Sequence, residues 1–486
     1  SMGATRWRLI RQLLTESLLL SSIGGVFGVL VGYWGRRLLP GAANARGHEL
    51  DWRVLLFVIL VTALTGIVFG IMPALRATRL NVSAALKDSS RTVVSSRSLL
   101  GKALLVFQVA ISLVLLIGAG LFLRTLQNLR TVDVGFNPQN LVMFNLNPGL
   151  LHYDETRYRP LYTRLLEELR TTPGVRAATL TNVMLISGSV NSTSVFVHGA
   201  AYTPGQHANM NRIVAGPDFF ETIGVPLKMG RTFNEHDSQT APKVAIINEA
   251  AMRKFFAGEN PIGRRFGSRL ETSNELEIVG VVRDAKYSEV REPPPPTMYV
   301  PHLQAMLPRA VIEVRTAQDP AALVGAIREI VRRVDPNVPI VEIVTQMEQV
   351  EKRLQQEKLF ARAYALFGAL ALAIAAVGLF GVMSYSVSRR TNEIGIRLAL
   401  GAQRGDVLGQ IMRESMILVI VGVVLGLGAA LATGRLIASQ LFGLAPTDVI
   451  TIGVAMSVML VVSTLAGYMP ARRASRVDPM VALRYE

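Results

Sequence analysis

Six apolar runs decide what this 486-residue chain can fold into. They lie at about 17–39, 52–72, 103–123, 363–385, 415–440 and 449–469. A bilayer is crossed by roughly 20 apolar residues in helical form, because a helix satisfies its own backbone polar groups in lipid. The expected fold is a polytopic α-helical membrane protein with about six transmembrane helices. None of the runs is wholly apolar, and Gln108 and Ser112 sit in the third. Polar groups inside a helix bundle read more readily as interhelical hydrogen bonding than as a transport path. Small residues recur as Gly24, Gly25, Gly28 and Gly32 in the first run, and as Gly422, Gly426 and Gly428 in the fifth. The spacings Gly24-x-x-x-Gly28 and Gly422-x-x-x-Gly426 predict two close helix–helix contacts.

Charge orients the spans. The chain holds 51 Lys and Arg against 35 Asp and Glu, a formal +16. Such an excess would suit nucleic acid, but its placement excludes that reading. Segments 1–16, 73–102, 386–414 and 471–486, all abutting apolar runs, hold 18 basic and 7 acidic residues. The block 124–362 is nearly balanced, with 28 against 25. Basic residues beside spans mark the cytoplasmic side and meet the anionic headgroups of the bilayer. An even span count puts both termini on that side and 124–362 outside. Arg36, Arg37, Arg46 and Arg53, in or beside the first outer loop, weaken this bias without reversing it. The absence of cysteine removes disulfides and thiolate metal sites.

The segment Arg389–Glu414, RRTNEIGIRLALGAQRGDVLGQIMRE, lies between two spans and is basic and amphipathic. As a helix it places Ile394 and Leu398 on one face, and pairs Glu393 with Arg397 four residues on, acid before base. Gly401 supplies the positive φ that ends such a helix, before Ala402 and Arg404. Val407, Leu408, Ile411 and Met412 begin a second apolar face. A short interfacial helix of this kind is placed for a soluble partner; the plainer alternative is a loop made basic by membrane topology alone.

Part of this stretch occurs twice. GATRWRLIRQLLTES at 3–17 aligns with GAQRGDVLGQIMRES at 401–415, matching Gly3, Ala4 and Arg6 to Gly401, Ala402 and Arg404. GIMPALRATRLNVSAALK at 70–87 aligns with GYMPARRASRVDPMVALR at 467–484. A nearly constant offset over two spans indicates duplication. Residues 1–90 then form the two-span remnant of a first unit. A second unit comprises one span (91–123), an external domain (124–358) and three spans (359–486). The counterpart of 389–400 is missing in front, so the expectation is an N-terminally truncated chain or a fragment, lacking its first half or relying on a second permease copy.

The external block shows two βαβ patterns. The first has strands at 140–147 and 175–182 around a helix at 157–171 with Tyr158, Leu161, Leu165 and Leu169 on one face. The second has strands at 310–314 and 338–344 around a helix introduced by Asp319-Pro320, with Leu323, Ile327, Ile330 and Val334 as its stripe. Between them, 184–308 carries short strands, a helix at about 248–257 and the stiff run Pro293–Pro296. The predicted domain is therefore α+β: a split lobe (139–183 with 309–346) holding an inserted β-rich lobe.

TNEIGIRLALGAQRGDV followed by a glycine-rich span closely resembles FtsX-like and MacB-like ABC transporter permeases. So do the stretches at 216–227, 230–233 and 278–284, and the duplicated layout resembles the duplicated orphan permeases. The resemblance implies a MacB-type periplasmic core and a bacterial inner-membrane location. It also implies that Glu393, Ile394, Arg397, Leu398, Gly401, Ala402 and Arg404 dock on a cytoplasmic ATPase dimer, mirrored by Gly3, Ala4 and Arg6. ATP would be bound by that partner. The expected activity is export by mechanotransmission, with an adaptor or outer-membrane protein outside; the alternative is FtsX-type signalling to an envelope enzyme.

No enzyme is expected in this chain, and no cofactor or metal. No GxxxxGK[ST] loop, HExxH or GxSxG occurs, and the six histidines are scattered.

Overall fold

A computed structural model describes residues 6–35, 52–79, 91–200, 208–257 and 259–475. The chain divides into two compact units, one of residues 1–128 with 355–486 and the other of Leu129–Leu354.

The first unit is helical. Its N-terminal part is α1 (Arg6–Gly35) and α2 (Trp52–Arg79), packed against each other, followed by α3 (Arg91–Thr131). Among the described residues five stretches are long and apolar enough to cross a bilayer: Ile10–Trp34, Gly101–Thr131, Gln355–Arg389, Arg404–Gln440 and Val449–Ala474. The apolar part of α2, Trp52–Ile67, is shorter than these, although the helix itself continues to Arg79.

The second unit, the head, is built on one 11-stranded sheet. Four strands form its first half: β1 (Leu141–Leu146), β2 (Val175–Thr181), β10 (Ala310–Thr316) and β11 (Ile340–Thr345). Their order β11-β1-β10-β2 interleaves the two βαβ segments, with every neighbour antiparallel. This is the split βαβ arrangement. Helices α4 (Glu155–Arg170) and α7 (Val324–Val334) cover one face. Tyr158, Leu165 and Leu169 of α4 meet Ile327 and Ile330 of α7 over Phe144, Ile312 and Val314. Asp154 caps α4 by accepting from the Arg157 amide, and Pro160, the sixth residue of the helix and so past its first turn, has no amide to donate to the Thr156 carbonyl.

The chain between β2 and β10 forms the inserted lobe. Strands β3 (Ser192–Val197), β4 (Ala208–Ala215), β6 (Val244–Asn248), β7 (Arg265–Gly267), β8 (Leu276–Val282) and β9 (Thr297–Pro301) follow the order β4-β3-β7-β8-β6-β9. A parallel β4–β9 pairing joins the ends, so these strands close on themselves, and β5 (Leu227–Gly230) adds to β8. Closure removes open edges. Met210, Ile247, Phe266, Ile278 and Met298 fill the interior. Short helices α5 (Phe219–Ile223) and α6 (Glu249–Phe255) belong to this lobe, and α8 (Gln346–Arg353) follows β11.

The remaining helices are α9 (Gln355–Arg389), α10 (Thr391–Ala399), α11 (Arg404–Ile437) and α12 (Val449–Ala474). The helices α9, α11 and α12 share one apolar core with α3: Leu105, Val109 and Leu113 of α3, Leu379 of α9, Val419 of α11 and Met459 of α12. Ser112 Oγ donates to the Ala371 carbonyl at 3.0 Å, tying α3 to α9. Away from α10, Arg124 of α3 pairs with Asp448, whose carboxylate also caps α12 by accepting from the Thr451 amide at 2.9 Å.

Candidate functional site

The segment between α9 and α11 is a separate nine-residue helix. A helix so short has little stability of its own, and packing holds it. Ile394 is buried with Val407 of α11 and Ala474 of α12, with Val387, Leu398 and Ile411 packed around them. Ile394 and Leu398 therefore face inward together. Glu393 and Arg397 form an ion pair at 2.6 Å, and Arg397 also donates to Gln410 Oε1 at 2.7 Å, bracing α10 against α11. Arg390 grips Glu414 through two contacts of 2.8 and 3.1 Å. Gly401 has φ of +98°, a left-handed conformation that glycine adopts without strain, and its amide closes on the Leu398 carbonyl. Ala402 donates to the Arg397 carbonyl, and α11 then starts at Arg404 with a Gln403–Asp406 capping box.

What α10 leaves outside was not singled out from sequence. Ile396 is 47% exposed and Leu400 is 82% exposed, four residues apart on the outer surface. The signal was available: in EIGIRLAL the apolar residues alternate between two faces of one turn, and once Ile394 and Leu398 point inward, Ile396 and Leu400 must point out.

Of the mirrored residues, Gly3 and Ala4 lie outside the described residues, and Arg6 opens the backbone of α1. The glycine pairs divide. A Cβ on Gly422 would fall 2.7 Å from Val109 Cβ, and one on Gly426 would fall 2.8 Å from the Ala110 carbonyl oxygen, so both glycines admit α3. Among the described residues nothing lies within 4 Å of such a Cβ on Gly24 or Gly28, so the contact expected there is not made within the described chain. The contact on α1 is made by Gly25, next to Thr62 of α2; Gly66 and Gly70 of α2 accept Ser21 and Leu14 of α1. One residue is a rotation of about 100° on a helix, so the spacing identified the right helix and the wrong face.

The head contains a buried acid. Glu313 lies on the sheet face opposite α4 and α7, beside Met143 of β1 and Thr179 of β2 in register. It is 1% exposed, and neither carboxyl oxygen has a hydrogen-bonding partner among the described residues. Burial raises its pKa to about 8, opposed only by Arg315. Arg315 is itself occupied by backbone carbonyls, those of Thr222 at 2.8 Å and Asn137 at 2.9 Å as well as that of Gln139. Glu313 is thus a neutral acid at pH 7. No group of three or more metal-ligating side chains occurs among the described residues.

Helical spans, a short amphipathic helix wedged between two of them, and a split βαβ head with an inserted closed lobe define a multi-pass membrane protein with a large domain outside its spans. Family models give the class its name. The MacB-like periplasmic core domain matches residues 103–349, about half of the chain. The FtsX-like permease C-terminal model matches residues 1–82 and 365–479, at both ends of the chain. The chain belongs to the MacB-like, FtsX-like family of ABC transporter permeases.

Individual relatives are distant. PvdT of Pseudomonas aeruginosa, a pyoverdine export ATP-binding/permease protein, is 27% identical over 274 residues, 55% of this chain and 41% of that protein. MacB 2 of Aeromonas hydrophila, a macrolide export ATP-binding/permease protein, is 27% identical over 305 residues, 58% of this chain and 45% of that protein. The chain therefore spans less than half the length of these two relatives. The uncharacterized ABC transporter permease YknZ of Bacillus subtilis is 27% identical over 342 residues, 66% of this chain and 83% of that protein. The crystallised periplasmic region of MacB from Actinobacillus actinomycetemcomitans aligns with 47% of this chain and 97% of its own, at 17% identity and a TM-score of 0.32.

Proposed function

We propose that this chain is the permease subunit of a bacterial ABC export system, driven by a separate cytoplasmic ATPase dimer that docks on α10. Both termini lie in the cytoplasm and the head lies outside the inner membrane. ATP-driven movement at α10 is passed through the spans to the head, which acts on an adaptor or outer-membrane protein. The observation that carries this reading is the exposed pair Ile396 and Leu400 on a helix whose other face is locked into α11 and α12. Covering Leu400 contributes about 1.5–3 kcal/mol, and covering the half-exposed Ile396 roughly half as much. The likeness to PvdT and MacB 2, both export ATP-binding/permease proteins, supports the same reading.

The test adds purified ABC ATPases of the same organism, one at a time, to the chain in nanodiscs and measures ATP hydrolysis. One of them should be stimulated, and Ile396→Asp with Leu400→Asp should weaken its binding by roughly a hundredfold or more. Stimulation that survives both substitutions refutes docking at α10. Protease added to intact spheroplasts should cut the head and spare 389–404; the reverse pattern refutes the orientation. Crosslinking from the 216–300 region then separates an export partner from an envelope enzyme under FtsX-type control.

A further inference from the structure

The head holds a cavity of about 410 Å³ that none of the roles above uses. It lies between α4 on one side and two segments of the inserted lobe, around Gly216–Asp218 and Pro301–Leu307, on the other. Its volume is in the range of pockets that enclose small molecules. The walls are apolar and aromatic: Tyr158, Tyr162, Leu166, Leu180, Phe233 and Leu303.

Charge chooses among ligands. Two guanidiniums border the cavity, and both are already engaged. Arg159 donates to Glu155 at 2.6 Å and to the carbonyls of His302 and Ala305 at 3.3 and 3.2 Å. Arg170 donates to the Ala178 carbonyl at 3.0 and 3.1 Å and pairs with Asp218 at 3.0 Å. Glu167 and Glu235 also line the cavity, and neither has an ion-pair partner among the described residues. His302 adds no positive charge. Burial, with Arg159 and Arg170 nearby, lowers its pKa to about 4. The uncompensated charge at the cavity is negative, beside rings whose faces attract cations.

We propose that this cavity binds a small amphiphilic cation, with its apolar or aromatic body against Tyr158, Tyr162 and Phe233 and its positive group toward Glu167 and Glu235. The inference goes beyond the export reading and does not rest on it, because binding is read without ATP or transport.

Rhodamine 6G serves as the probe, with its free acid rhodamine 19 as the zwitterion of the same ring system and fluorescein as the anion. Each is titrated by fluorescence anisotropy against the full chain in nanodiscs, with empty nanodiscs subtracted. Rhodamine 6G should bind saturably and more tightly than rhodamine 19, and fluorescein least. Glu167→Gln with Glu235→Gln should weaken rhodamine 6G by about tenfold in low salt and less at high ionic strength. Thr163→Trp, from an exposed position on the cavity wall, should abolish binding by filling the space, whereas Thr163→Ser should leave it intact. If Thr163→Trp also lost the protease resistance of the head, the two glutamine changes on exposed side chains would carry the test. Absence of saturable binding, tighter binding of fluorescein, or cation binding indifferent to all these substitutions would each overturn the proposal.

Discussion

Replacing Glu313 by glutamine should stabilise the head above neutral pH and leave it nearly unchanged in acid. The folded pKa, about 8, lies above the ordinary glutamate value of 4.5. Below 4.5 both the folded and unfolded states hold the proton, and the residue adds no pH dependence. Between 4.5 and 8 the unfolded chain releases it while the folded head keeps it, so stability falls as pH rises. At about 1.4 kcal/mol per pKa unit, the loss relative to an unshifted acid is roughly 1.4 kcal/mol at pH 5.5 and 4–5 kcal/mol at pH 8.5. Glu313→Gln removes this slope while keeping size and polarity. Hydrogen exchange by mass spectrometry, on the full chain in nanodiscs, reads the amides of β10 and its neighbours. Comparing variant with wild type at the same pH cancels the intrinsic exchange rate. The protection ratio should rise on the order of a hundredfold between pH 5.5 and 8.5, the equivalent of about 3 kcal/mol. Parallel pH profiles for the two proteins would show that Glu313 is ionised at neutrality and refute the argument.

Other consequences are as direct. Gly426→Val drives methyl groups into the Ala110 backbone and should cost about 1–3 kcal/mol in thermal unfolding of the solubilised chain, whereas Gly28→Ala, which meets nothing, should be neutral. Asn248 is fully buried, accepts from the amides of Ala251 and Thr297 at 3.0 and 2.9 Å and donates to the Pro295 carbonyl at 2.9 Å. Asn248→Ala orphans all three groups and should lower head stability by roughly 3–5 kcal/mol, seen as faster proteolysis within 244–300. Ile394→Ala should loosen α10 by about 2–4 kcal/mol; if α10 receives the motor, ATPase binding should persist while stimulation falls, the opposite balance from Leu400→Asp.

How far these features can be read from sequence depends on the range of the interaction behind them. Local periodicity located α4, α7 and the strands β1, β2 and β10 to within a few residues, because burial of one face writes a repeat of 3.6 or 2 into the chain. Closure of the inserted lobe left no such trace. It rests on β4 pairing with β9, more than 80 residues on, and nothing near either strand states its partner. The burial of Glu313 is illegible in the sequence for a related reason. In AVIEVRT, Ala310, Ile312 and Val314 read as the inner face and Glu313 with Arg315 as the solvent face. Met184 from the 183–188 segment covers Met143 and Val311 on that second face, and the backbone of α5 takes the Arg315 guanidinium, so the apparent surface is interior.

The α10 helix shows the same divide within nine residues. Its boundary was legible because Gly401 solves a local problem, the left-handed turn that ends a helix. Its inward residues were legible because their spacing is helical. Its outward pair acquires meaning only from the packing behind it: Ile394 against Val407 and Ala474 joins α10 to two spans at once. Close-packed side chains transmit displacement with little slack. A force applied at Ile396 and Leu400 therefore cannot be absorbed by a pliant loop, and must either shift α11 and α12 or break the cluster around Ile394.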